Sequence, residues 1–186
     1  NRRTQFGQHD ASARLGPEFE AAGVSVHGIL REERRLLAPT VAQVAALIDG
    51  TFYAGASGQH ELIERFLIGG LITEWGGNYF GRYASQAVIV RGGRMDIQMS
   101  ALNFPMTCLF LTGCEKPPQY VHQRATDLDV PLVTSNHDTP SVAALLEQLG
   151  PQVTVDHPDK ISLVAKMITD AVDLLAVGKS VGLYSN

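Results

Sequence analysis

The chain has 186 residues, 45% of them apolar, and a formal net charge of −4 at pH 7. This length and composition suit an ordinary globular core in one large domain or two small ones. The negative charge argues against a nucleic-acid-binding surface, because such surfaces carry a basic stripe.

The sequence shows neither a membrane-spanning segment nor a targeting signal. No apolar run approaches the roughly 18 residues that a membrane-spanning helix needs, and the N-terminus lacks a signal-peptide pattern. We therefore expect a cytoplasmic protein with neither a membrane nor a nucleic-acid partner. The chain starts at Asn1 instead of Met, so we also expect it to be a piece of a longer protein.

The first third of the chain predicts short elements. A short helix is expected over 17–22, and the alternating residues 24–30 predict a strand. Thr40 and Gln43 have the spacing of a capping box and predict a helix start. The apolar stripe of that helix is Val41, Val44, Ala45 and Ile48.

The middle of the chain repeats a strand, a polar turn and a helix. Residues 61–68 predict a strand in their second half, and 73–85 predict a poor helix with loops. The apolar run 87–90 predicts a buried strand, which the glycine turn Gly92-Gly93 separates from a helical spacing of apolar residues. The same order of strand, turn and helix is predicted twice more. Strand 107–111 precedes helix 119–128, and strand 131–134 precedes a helix capped by Thr139.

Three such units predict an α/β fold, a three-layer or two-layer sandwich with a mainly parallel sheet. Right-handed crossovers would place the three turns on one edge of that sheet. Near the C-terminus we expect a short strand over 153–155 and an amphipathic helix over 159–177. Its predicted buried face consists of Ile161, Val164, Ile168, Val172 and Leu175.

The chemistry predicted for this edge is ligand binding. The sequence has no G-x-x-x-x-G-K-[ST] loop, no H-E-x-x-H and no G-x-S-x-G, so we predict neither catalytic residues nor a metal site. A glycine turn beside one arginine suits an anionic ligand. The predicted ligand-binding residues are Gly92, Gly93, Arg94, Asp96, Thr112, Gly113, Asp138 and Thr139. The alternative is that Arg94 pairs with Asp96, and that Asp138 and Thr139 only cap a helix.

Three motifs resemble the DRTGG domain family in order: VIVRGGRMDIQMSAL, LFLTGCEKPP and VPLVTSNHDT. Arg94 and Asp96 match the arginine and the following acid of that family. The chain departs from it at Gly93, where an acid is usual, and at Cys114, where a second glycine is common. The resemblance implies a non-catalytic regulatory module of the kind found in long bacterial phosphate acetyltransferases and some nucleotide-regulated pyrophosphatases. It implies an adenine nucleotide or a small anionic metabolite as effector. We also expect no resident cofactor and a homo-oligomer.

Upstream, residues 23–44 resemble the end of the dethiobiotin-synthetase-like P-loop domain that precedes this module in related proteins. The expected domains are therefore 1–57 as the end of that domain, 58–178 as the DRTGG-like domain and 179–186 as a tail. Two other functions stay open at this point. The segment can be part of an ATP-dependent enzyme of the dethiobiotin synthetase or cobyrinate synthase type, or a purely structural oligomerisation module.

Overall fold

A computed structural model of the chain describes residues 15–70 and 76–183. Residues 37–154 form one compact unit, and the described parts of 1–36 and 155–186 form a second. The domain boundary predicted after residue 57 falls inside the first unit, and the division into 1–57, 58–178 and 179–186 stays a prediction. Within the described ranges, no helix combines the length and apolar character needed to cross a membrane.

The first unit is built on a five-stranded mixed sheet, which confirms the predicted α/β class. Its strands stand in the order β1-β5-β4-β3-β2. Strands β2 to β5 are mutually parallel, and β1 pairs with β5 in the antiparallel sense. The strands are β1 (Thr51–Ala54), β2 (Arg65–Ile68), β3 (Gln86–Arg91), β4 (Cys108–Thr112) and β5 (Leu132–Ser135).

Helices cover both faces of this sheet. They are α1 (Val41–Leu47), α2 (Gly76–Phe80), α3 (Met95–Ala101), α4 (Gln119–Asp127) and α5 (Thr139–Glu147). Successive residues of a strand point to opposite faces. Accordingly, Ala87 and Ile89 pack with α1 and α5, whereas Val88 and Val90 pack with the helices of the other face. The fold of this unit is therefore a three-layer sandwich.

Helix α1 begins at the capping box that the sequence predicts. The Thr40 hydroxyl accepts the N–H of Gln43 at 3.2 Å, and the Gln43 side chain accepts the N–H of Thr40 at 2.9 Å. Val41, Val44 and Ile48 are fully buried, as expected. The described residues also contain three short 3-10 helices, at Arg34–Leu37, Ala56–His60 and Gly150–Gln152.

Two of the predicted strands, at 24–30 and 153–155, are absent from the described structure. Residues 15–21 are helical, close to the predicted helix at 17–22. Residues 24–30 do not form a strand, because their ladder is limited to a single bridge between Gly28 and Val172. Residues 153–155 are not a strand either. An alternating segment becomes a strand only where a neighbouring strand pairs with it.

The predicted helix at 159–177 is two helices, α6 (Pro158–Ala171) and α7 (Leu174–Ser180). The chain leaves the helix at Val172, which is extended, and the N–H of Asp173 donates to the carbonyl of His27 at 2.8 Å. The predicted buried face is wrong, because Val164, Ile168 and Val172 are only half-buried, and the buried residues of α6 are Lys160 and Met167. The side chains of Ile161 and Leu175 are 56% and 67% exposed.

Two further expectations concern residues outside the described ranges. The first part of the loop-rich segment 73–85 and the end of the tail 179–186 fall there. The described remainder of 73–85 contains helix α2, which is only five residues long.

Candidate functional site

The turns that follow β3, β4 and β5 lie on one edge of the sheet. The ladders pair Arg91 with Thr112, and Thr112 with Ser135, so these three strands end side by side. The residues predicted to bind a ligand follow directly in each turn. The topology thus places all three turns on the carboxyl edge, as the sequence predicts.

Main-chain hydrogen bonds join the turns to one another. The N–H of Gly92 donates to Thr112 O at 2.8 Å, and the N–H of Gly113 donates to His137 O at 2.7 Å. The N–H of Cys114 donates to Ser135 O at 3.2 Å. Gly113 has a φ of 62°, which favours glycine. These N–H groups are therefore already bonded within the protein.

Two side chains of the predicted site meet directly. The hydroxyls of Thr112 and Thr139 are 2.6 Å apart. Thr112 is completely buried, whereas Thr139 is partly exposed. One hydroxyl donates to the other, so the second keeps a hydrogen for another acceptor.

The helix cap after β5 corrects the prediction. Asp138, rather than Thr139, is the N-cap of α5, and its carboxylate accepts the N–H of Ser141 at 2.9 Å. Hydrogen bonding to Ser141 holds the pKa of Asp138 below its ordinary value. Thr139 begins the helix instead, which leaves its side chain free to contact Thr112.

Arg94 and Asp96 pair with each other. The Nε of Arg94 donates to Asp96 Oδ1 at 3.0 Å, and a terminal nitrogen donates to Oδ2 at 2.8 Å. These hydrogen bonds raise the pKa of Arg94 and lower the pKa of Asp96. Both side chains are exposed, at 44% and 50%.

The structure adds Gln98, which the sequence interpretation missed. Its amide nitrogen donates to Arg91 O and Gly92 O, both at 3.0 Å, and so holds the end of β3. The side chain is fully buried, and its amide oxygen has no hydrogen-bond partner. A signal was available, because position 98 lies on the apolar stripe of α3 between Ile97 and Ala101.

A second missed contact joins His137 to Asp49, which follows α1. The His137 Nε2 lies 3.1 Å from a carboxylate oxygen of Asp49. Asp49 has a positive φ of 50°, an uncommon conformation for a residue other than glycine. Among residues 15–70 and 76–183, no three His, Cys, Asp or Glu side chains are placed to hold a metal ion.

Open space remains beside two of the glycines. A Cβ built at Gly93 or at Gly113 meets no atom within 4 Å. At Gly92 the same atom would lie 2.6 Å from the Cys114 sulfur and closer still to its Cβ. The edge thus has bare backbone next to Arg94 and a tightly packed glycine at the base of the turn.

Comparison with known proteins identifies the fold and the family. The sequence model of the DRTGG domain matches residues 43–149, more than half of the chain. The chain belongs to the DRTGG domain family. The resemblance carried by the three motifs is confirmed, and the DRTGG domain includes α1 from Gln43 onward together with β1.

Two known proteins are similar to this chain, which spans less than two thirds of the length of either. Uncharacterized protein YtoI of Bacillus subtilis (strain 168) is 28% identical over 109 residues, which are 59% of this chain and 24% of YtoI. The crystal structure of the CBS and DRTGG domains of the regulatory region of Clostridium perfringens pyrophosphatase, complexed with its activator diadenosine tetraphosphate, has a TM-score of 0.55. That match is 14% identical and covers 75% of this chain and 64% of the other. At this identity the likeness establishes the fold.

Proposed function

We propose that this DRTGG domain is a non-catalytic regulatory module that binds a small anionic effector, an adenine nucleotide, at the carboxyl edge of its sheet. The observation that carries the proposal is the bare glycine turn beside Arg94, at the end of a central strand. The pyrophosphatase region with the same fold is a regulatory region that was crystallised with a dinucleotide activator. Binding of the effector at this turn would then regulate a neighbouring domain or subunit.

The binding step is an exchange of anions at Arg94. Its present partner, Asp96, is exposed, and exposed ion pairs contribute little to stability. A phosphate group accepts both arms of a guanidinium and carries more charge than a carboxylate. After the exchange Asp96 still lies in the first turn of α3, where a negative charge is favourable.

A calorimetric titration with diadenosine tetraphosphate, ATP and AMP tests the proposal. Arg94→Gln should weaken binding by about tenfold or more, since charge-assisted hydrogen bonds are lost. Asp96→Asn should strengthen binding, because it removes the competing carboxylate. The matched control is Arg35→Gln, whose ion pair with Asp159 has nearly the same length, 2.7 Å, and similar exposure, 45% and 55%.

Two results would refute this function. One is the lack of any heat of binding for all three nucleotides at millimolar concentration. The other is an equal affinity for the Arg94→Gln and Arg35→Gln variants. A thermal-shift assay gives an independent check, because a ligand at 100 times its dissociation constant stabilises the protein by about 2.7 kcal/mol.

The expected homo-oligomer is a second proposal, favoured by one observation. Strand β2 is an edge strand, and its side chains Phe66 and Ile68 are exposed. A second copy that pairs along β2 would bury both of them. Light scattering tests this proposal. A monomer mass that does not change with protein concentration would contradict a homo-oligomer.

The parent protein and its location also remain proposals. We propose a cytoplasmic protein in which a dethiobiotin-synthetase-like P-loop domain precedes residue 57, with a phosphate-acetyltransferase-like domain as the regulated partner. The resemblance of residues 23–44 supports the first part. The reading frame on both sides of this segment tests it, and a lysine-bearing phosphate loop upstream without an acetyltransferase-like domain downstream would instead favour an ATP-dependent enzyme.

A further inference from the structure

Two arginines converge on one exposed tyrosine at the opposite edge of the sheet. The guanidinium carbon of Arg65 lies 4.0 Å from the centroid of the Tyr83 ring, and that of Arg82 lies 5.5 Å from it. Arg65 begins β2, and Tyr83 follows α2. Because β2 runs parallel to β3, this cluster lies at the amino ends of the strands. It is therefore separate from the turn that contains Arg94.

Neither of these arginines has a carboxylate partner in the described part of the chain. Arg94 and Arg35, by contrast, each form an ion pair shorter than 3 Å. Arg65 is also half-buried, which raises the cost of an unneutralised charge. Attraction to the ring holds each cation, but the two like charges repel one another. An anion bound by both guanidinium groups would offset that repulsion.

Two hydrogen bonds to main-chain carbonyls hold the backbone around Arg65, Arg82 and Tyr83 in position without a ligand. The buried Gln86 side chain donates to Phe80 O at 2.6 Å and so fixes the end of α2. The N–H of Glu64 donates to Ser85 O at 3.1 Å, which ties the start of β2 to the segment after Tyr83. Little ordering of the backbone is therefore needed for binding.

We propose that Arg65, Arg82 and the Tyr83 hydroxyl form a binding site for a phosphoryl group. A phosphate monoester carries a charge of about −1.5 to −2 at pH 7, which matches two guanidinium groups. Their forked donors fit its oxygens, and the tyrosine hydroxyl adds a further donor. The inference does not depend on an effector at the carboxyl edge.

A titration of the isotope-labelled full chain with inorganic phosphate, followed by NMR at constant ionic strength, tests the proposal. We expect amide shifts confined to residues near Arg65 and Tyr83. Arg65→Gln and Arg82→Gln should each weaken binding by about tenfold, and Arg82→Lys should recover part of the loss. Arg124→Gln is the matched control, because Arg124 is half-buried but lies on no aromatic ring in the described structure.

The outcomes separate specific binding from general screening. Equal shifts from acetate, shifts spread over the whole surface, or unchanged affinity in the exposed Arg82→Gln variant would each overturn the proposal. Titrations with AMP and with O-phosphoserine then distinguish a nucleotide from a phosphorylated protein segment as the source of the phosphoryl group. Tighter binding of either one than of inorganic phosphate supports the site and names its source.

Discussion

Substitution by alanine should have a different effect on stability at each of three glycines, two in the turn after β3 and one in the turn after β4. At Gly92 a Cβ would lie 2.6 Å from the Cys114 sulfur and 3.3 Å from Thr112 O. Overpacking of this kind costs about 1–3 kcal/mol. At Gly113 space is open but φ is 62°, so alanine should cost about 1–2 kcal/mol through backbone strain. At Gly93 neither applies, and alanine should be neutral or stabilise by about 0.4–1 kcal/mol.

Hydrogen exchange of the amides of β3 and β4 measures these free energies within the first unit. The cause at Gly92 is tested by adding Cys114→Gly, which removes both of the atoms that clash. The double variant should recover most of the loss, with a coupling energy of about 1 kcal/mol or more. The reasoning is refuted if Gly93→Ala is as destabilising as Gly92→Ala, or if the two effects at 92 and 114 simply add.

Other positions give independent checks. Gln98→Leu should lower the free energy of unfolding by about 1 kcal/mol, because the part-buried carbonyl of Gly92 loses the Gln98 amide while that of Arg91 keeps the N–H of Arg94; an unchanged urea midpoint would contradict this. The pKa of Asp138 is lowered in the folded state, so its stabilising cap is present at neutral pH and lost as the pH falls through that lowered value. Asp138→Ala should therefore flatten the acid side of the stability profile. Burial raises the pKa of the Cys108 thiol far above that of an ordinary cysteine, so a thiol reagent should modify Cys114 first and Cys108 only after unfolding.

The parallel strands β3, β4 and β5 were predictable because their signals are local. The runs at β3, β4 and β5 are mostly apolar and almost entirely buried, as expected for strands covered on both faces, and each is followed by a turn and a helix. The capping box at Thr40 likewise depends on residues only three apart. Such patterns need no knowledge of distant contacts.

Elements set by distant partners were not predictable. Strand β1 pairs with β5, which lies about eighty residues further along the chain, and its pattern alone does not distinguish it from a loop. The break in the C-terminal helix depends on the bonds of Val172 and Asp173 to residues 27–28. The apolar periodicity of residues 159–177 does not indicate that contact.

The turns of the candidate site were predictable from the sequence, but the partners of their charged side chains and N–H groups were not. Asp138 already occupies the N-terminus of α5, and the N–H groups of Gly113 and Cys114 are bonded to His137 O and to Ser135 O at the end of β5. An anion at this edge therefore meets Arg94 and the bare backbone at Gly93, rather than a free helix N-terminus. Since Asp96 competes for the same guanidinium, Asp96→Asn is the variant that separates a binding arginine from one that only completes a surface ion pair.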